Sequence, residues 1–146
     1  MTDFGQFLAA SDGVNVLVHL VADPSMQAEF YDSLLPLNII GGYNAIQAAH
    51  QARCEHIVFA SSVNAVLGHG GVEPVSWDVP VHPFNVYGAT KCWGESLARV
   101  YLSQHNLSTI CIRLGSPPFQ QDGDFDADEP NLGISPRRNT AWLFFR

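Results

Sequence analysis

Three short runs of apolar, largely β-branched residues constrain this chain most: VNVLVHLV at 14–21, HIVFASS at 56–62 and STICIRL at 108–114. Each has the length of a buried strand and is too short for a buried helix. Between them the pattern turns helical. Over about residues 33–52, Leu34, Leu37, Ile40 or Gly41, Asn44, Ala45, Ala48 and Ala49 form an apolar and small-residue stripe. Pro36 suits a first helical turn and marks the expected start of the regular helix. A second helix is predicted over 86–104, with Leu97, Val100 and Tyr101 on one side. Strand, helix, strand, helix, strand gives an α/β fold: a partial doubly wound, Rossmann-like parallel sheet with helices on both faces. In open sheets of this kind the ligand crevice lies at the carboxyl ends of the strands. Ala22, Ser62 and Gly115 stand at such ends.

Breakers divide the rest. Residues 2–11 read as the end of a helix, with Phe4, Phe7 and Leu8 on one face and Gly13 as the stop. Residues 63–84 carry Gly68, Gly70, Gly71, Pro74, Pro80 and Pro83 and read as a long loop, a length that usually has a function. The adjacent Gly41 and Gly42 cost about 1 kcal/mol each inside a helix, which a close approach of backbone or ligand would explain. At 146 residues the length suits one domain.

Composition removes several functions. Seven basic against fourteen acidic residues give a formal charge of -7, which argues against nucleic acid or an anionic membrane as partner. The longest apolar runs fall well short of the roughly 20 residues of a membrane helix. The first residues carry no signal sequence, so the expected location is cytoplasmic. The acids at Asp122, Asp124, Asp126, Asp128 and Glu129 lack the glycine and glutamate placement of a calcium loop and read as a solvated segment. Cys54, Cys92 and Cys111 match no zinc or redox spacing and read as reduced thiols. No metal is expected. His19 reads as a core histidine, while His69 and His82 lie in the long loop.

Chemistry concentrates at Tyr87 and Lys91, four apart on one face of a predicted helix. A free phenol ionises near pH 10 and is a poor base at neutral pH. A lysine ammonium one turn away is expected to lower that value and make Tyr87 a usable general acid/base. Ser62, closing a strand, can hydrogen-bond the same reacting oxygen. Asn38, on the preceding helix, can orient Lys91 directly or through water.

These residues, with VHLVA at 18–22, NIIGGYN at 38–44, VFASS at 58–62, YGATK at 87–91 and IRLGS at 112–116, resemble the middle of an extended short-chain dehydrogenase/reductase of the NAD-dependent epimerase/dehydratase family. FASS at 59–62, KCWGE at 91–95 and RLGS at 113–116 look most like the uronate dehydrogenase branch. The resemblance implies an NAD- or NADP-dependent oxidoreductase acting on a sugar or sugar acid. It gives Tyr87 as acid/base, Lys91 as ligand of the nicotinamide ribose, Ser62 as holder of the substrate hydroxyl and Asn38 as support of the proton relay. Leu20, Val21, Ala22, Asn38, Tyr87, Lys91 and Gly115 would line the cofactor. Ser25, Ser62, Asn64 and Arg137, with Arg138 as alternative to Arg137, would contact the substrate. An arginine fork suits a carboxylate.

The family's opening Gly-x-x-Gly-x-x-Gly turn, which cradles pyrophosphate at a helix N-terminus, does not occur in this sequence. By this resemblance the chain reads as a fragment lacking the N-terminal glycine-rich βαβ and most of the substrate lobe: 1–116 as a partial NAD(P)-binding Rossmann-like domain, and 117–146 as the start of a substrate-binding lobe, largely loop, for which Trp142 to Phe145 read as core. Alone it is expected to be poorly soluble or oligomeric and to bind NAD weakly or not at all. Two other functions compete: a nucleotide-sugar epimerase or dehydratase on the same scaffold, and a non-catalytic remnant or interaction module.

Overall fold

The computed structural model describes residues 2–70, 75–76, 78–115 and the backbone of 141–144. Three parallel strands form its centre: β1 (Val16–His19), β2 (His56–Ser62) and β3 (Ser108–Leu114). β1 pairs with β2 from Val16↔His56 to His19↔Phe59, and β2 pairs with β3 from His56↔Ser108 to Ser62↔Leu114. A fourth strand, β4 (Ala141–Phe144), runs antiparallel along β3, from Ile110↔Phe144 to Arg113↔Ala141. The strand order is β1-β2-β3-β4. The backbone of Trp142 to Phe144, read from sequence as core of a further lobe, thus lies in this sheet.

Helix α1 (Phe4–Ala10) is capped by Asp3, whose carboxylate accepts the Gln6 N–H. The expected second helix begins earlier than Ser33, because Phe30–Ile40 is wound as a π-helix that runs directly into α2 (Gly41–Gln51). Pro36 therefore sits inside the helical run rather than in its first turn. A proline removes one N–H and its ring crowds the carbonyl four residues back. Widening to i→i−5 bonding, as in Leu34 N–H to Glu29 O and Gly41 N–H to Pro36 O, accommodates it.

Helix α3 (Val86–His105) starts at Asn85, whose side-chain oxygen accepts the Gly88 N–H at 2.7 Å. It ends at Asn106 in the left-handed region, φ 56°. The core lies where α2 and α3 meet the sheet: Leu17, Ala45, Ile46, Ala49, Ile57, Phe59, Ala98, Tyr101 and Cys111 are all buried.

Phe59 organises this core. His19 stacks on its ring at 5.6 Å, and Lys91 Nζ lies 5.4 Å from its centroid. Gly94 of α3 packs so closely that a Cβ there would stand 2.4 Å from the ring. Gly42, the glycine the sequence singled out, would place a Cβ in ordinary contact, 3.6 Å from Phe59. His19 is the expected core histidine: burial first, then the Lys91 charge, lowers its pKa from 6.5 to about 4.

A second buried cluster ties α3 to β3. Arg113 and Glu95 form a bidentate ion pair, Nε to Oε1 at 2.9 Å and Nη2 to Oε2 at 2.8 Å, and Ser61 Oγ donates to Glu95 Oε1 at 2.6 Å. Arg113 Nη1 has no hydrogen-bond partner among the described residues. All three cysteines are free and buried. Burial pushes the Cys54 thiol up, Cys92 to about 11 and Cys111 to about 12. None is activated as a nucleophile.

Candidate active site

The carboxyl ends of the three parallel strands open onto one pocket of about 290 Å³. Leu20 and Ala22 enter from the chain after β1, Ala60 and Ser62 from β2, Asn64 from the turn after it, Tyr87 and Lys91 from α3, and Leu114 and Gly115 from the end of β3. The strand order explains this convergence: each parallel strand delivers its C-terminal end to the same edge.

Lys91 is 3% exposed, and its Nζ donates to Ala60 O at 2.8 Å. No acid accompanies it in that contact, so burial lowers its pKa from 10.5 to about 8. Tyr87 is 8% exposed, and it shares the pocket with Ser62. The expected lowering of the Tyr87 pKa is reversed. Burial raises it above 10, the Ser62 hydrogen bond opposes that rise, and the Asp23 carboxylate adds to it. The lysine stands 5.7 Å from the phenol ring centroid with a hydrogen bond committed to β2, and desolvation of the phenol dominates. Tyr87 therefore stands as a protonated phenol at neutral pH.

Asn38 is buried and does not reach Lys91. Its Oδ1 accepts the Asp23 N–H at 2.8 Å, while its Nδ2 donates to Asp23 O at 3.1 Å and Thr90 Oγ1 at 3.1 Å. Thr90 donates in turn to Tyr87 O at 2.7 Å. Asn38 thus clamps the turn after β1 to the helix that carries Tyr87. Its side-chain oxygen, the atom that could accept from the Lys91 ammonium, is engaged by the Asp23 N–H instead.

Of the other residues named from sequence, Val21 and Ser25 do not line the pocket. Ser25 N–H caps the Asp23 carboxylate at 2.9 Å. Arg137 and Arg138 lie outside the described residues. His69 and His82 pack edge to face at 4.9 Å, and neither lines the pocket. The sequence reading missed Asn85, Asp23 and Thr90. For Asn85 a signal existed: an asparagine directly before a helical pattern is a preferred N-cap. Among the described residues no cluster of histidine, cysteine and acids could hold a metal ion, and no helix is long and apolar enough to cross a membrane.

The sequence matches the model of the NAD dependent epimerase/dehydratase family over residues 1–118. The chain belongs to that family. Among the family's curated members, a uronate dehydrogenase from Agrobacterium fabrum is 38% identical over 109 residues, covering 75% of this chain and 39% of that protein. An L-arabinose 1-dehydrogenase (NAD(P)(+)) from Haloferax volcanii is 31% identical over 118 residues, covering 73% of this chain and 46% of that protein. In fold, the crystal structure of Thermus thermophilus UDP-glucose 4-epimerase in complex with NAD matches with a TM-score of 0.72 at 25% identity, over 84% of this chain and 42% of that one. This epimerase/dehydratase family member thus spans about two-fifths of the length of the relatives it matches. The family's members include sugar dehydrogenases and nucleotide-sugar epimerases, and the partial Rossmann-like fold expected from sequence is the fold observed.

Proposed function

We propose that Ser62, Tyr87 and Lys91 form the acid/base side of a nicotinamide-dependent oxidation of a sugar acid. The observation that supports this most is their convergence in one pocket at the carboxyl ends of β1, β2 and β3. The uronate dehydrogenase relative supports the substrate class.

The pocket suits the nicotinamide-ribose end of a dinucleotide. Its walls at Leu20, Ala22, Ala60, Leu114 and Gly115 are small or apolar, and its polar side chains are those of Ser61, Ser62, Asn64, Tyr87 and Lys91. Lys91 would hold the ribose hydroxyls, and Ala22 and Gly115 would flank the ring. A bound nicotinamide supplies the hydride acceptor. The protein's part is to place the sugar hydroxyl and to take its proton. Ser62 holds the reacting oxygen, and the Tyr87 oxygen exchanges the proton with it. A phenol ionising above pH 10 is a strong proton donor only to a developing alkoxide. Oxidation therefore runs better as pH rises, and reduction is favoured at neutral pH. Lys91, charged below about pH 8, stabilises negative charge developing on the Tyr87 oxygen in that range and loses this effect above it. Arg137 is the cation the sequence offers to the substrate carboxylate, with Arg138 as alternative.

A substrate panel tests the assignment. With NAD in excess, a hexuronic acid is expected to give net NADH, L-arabinose less, and UDP-glucose none. Net interconversion of UDP-glucose and UDP-galactose without NADH release would replace the dehydrogenase reading with an epimerase.

A further inference from the structure

Ser62 has a hydroxyl with one hydrogen and two lone pairs. Both lone pairs face Asn64: its backbone N–H and its side-chain Nδ2 each stand 3.2 Å from Ser62 Oγ. The orientation of the Asn64 amide is set from outside the pocket. Asn85 caps α3, and its Oδ1 must accept the Gly88 N–H, because a backbone N–H can only donate. That leaves Asn85 Nδ2 as donor, and it meets Asn64 Oδ1 at 2.9 Å. With Oδ1 occupied as acceptor, the Asn64 amide presents Nδ2 to Ser62. The turn is held at this distance by Gly88, where a Cβ would stand 2.4 Å from Asn64 O.

We infer that Asn64 and Asn85 are positioning residues that commit the Ser62 hydroxyl hydrogen to the reaction side of the pocket. Ser62 is then an obligate donor, first to the Tyr87 oxygen and, with substrate bound, to the oxygen that gains negative charge. A serine free to rotate would accept from the neutral phenol as readily as donate to the phenolate, and would lose this bias. The helix cap of α3 therefore fixes the polarity of a hydrogen bond inside the pocket. Asn64, named from sequence as a substrate ligand, donates to Ser62 from both its backbone and its side chain. This inference deepens the proposed function and rests on its assignment of Ser62 and Tyr87, but it concerns a proton position that can be read without turnover.

The test replaces the tyrosines of the full chain with 3,5-difluorotyrosine, which ionises nearer neutrality, and follows the Tyr87 signal by fluorine NMR. Loss of a resonance in Tyr87→Phe assigns it. The variant Asn85→Asp keeps an acceptor for Gly88 N–H but offers Asn64 no donor, so the Asn64 amide turns and draws the Ser62 hydrogen away. The Tyr87 midpoint is expected to rise by about one pH unit, and Asn64→Ala is expected to move it the same way. Asp23 and Lys91, the charged groups that also face Tyr87, are unchanged in both variants. In a Ser62→Ala background the rise should vanish, since no hydroxyl remains to orient. A rise that persists without Ser62 would mean a through-space charge effect, and no rise in either variant would mean a freely rotating hydroxyl. Either result overturns the inference. A chain that fails the substrate panel but shows this dependence on Ser62 would separate the two claims.

Discussion

Glu95→Leu is expected to cost about 3–5 kcal/mol of folding stability, because it leaves the Arg113 guanidinium buried without its counter-charge. Arg113 and the Glu95 side chain are 1% and 3% exposed, so water cannot replace the lost carboxylate. Domains of this size have only about 5–15 kcal/mol in all, so the variant should unfold at a much lower urea concentration, with part of the population unfolded in buffer. The double variant Glu95→Leu, Arg113→Met should recover most of that loss, since an apolar pair of similar volume often matches a buried ion pair. Arg113 Nη1, without a partner among the described residues, strengthens that expectation. A single variant as stable as the parent would show that the pair does not hold α3 against β3.

Lys91→Met should move stability the other way. Lys91 is as buried as Arg113, but its close contact is the neutral carbonyl of Ala60. A pKa depressed from 10.5 to about 8 means that the charged form is penalised in the folded state by roughly 3 kcal/mol. The sign follows from proton counts. Below about pH 8 both folded and unfolded chains carry the proton, and the folded state bears the full penalty. Between about 8 and 10.5 the unfolded chain binds more protons, so wild-type stability rises with pH through that window. Methionine fills the same channel without charge. The variant should therefore be more stable than wild type at about pH 7, and the gap should close by about pH 10.5. Urea unfolding at several pH values reads both features. Lower stability of Lys91→Met at neutral pH would contradict the account. This contrast separates two buried cations: Arg113 holds the fold, whereas Lys91 is retained against the interest of stability, as expected of a residue kept for chemistry.

Much of this arrangement was legible in the sequence. The bounds of β2 and β3 agree with the apolar runs, because buried parallel strands admit few polar interruptions. Tyr87 and Lys91 were readable as neighbours because a helix places i and i+4 on one face. What escaped was set by tertiary geometry. The π-helical start of the α2 region depends on how Pro36 is accommodated, which no periodicity encodes. Gly41 and Gly42 drew attention as costly, but close approaches are found at Gly68, Gly88 and Gly94, where His82 O, Asn64 O and the Phe59 ring crowd the Cβ position. The direction of the Tyr87 pKa was misjudged because helix spacing gives a distance and no solvation. Burial of the phenol outweighs a lysine whose ammonium is bound to a backbone carbonyl. Asn38 was read as a support for Lys91, and its hydrogen bonds run to Asp23 and Thr90. Its partners at Asp23 and Thr90 lie 15 and 52 residues away, beyond what local pattern reveals.

In the proposed function Tyr87 carries the proton of a nicotinamide-linked sugar oxidation. The most direct measurement compares NADH formation from a hexuronic acid by the protein and by its Tyr87→Phe variant, at high NAD and equal folded fraction. The account predicts that phenylalanine, which keeps the ring and its packing, lowers the rate by about 10²–10⁴-fold while the unfolding midpoint changes little. Equal rates in the two proteins, or no NADH from any sugar offered to the unmodified chain, would contradict it.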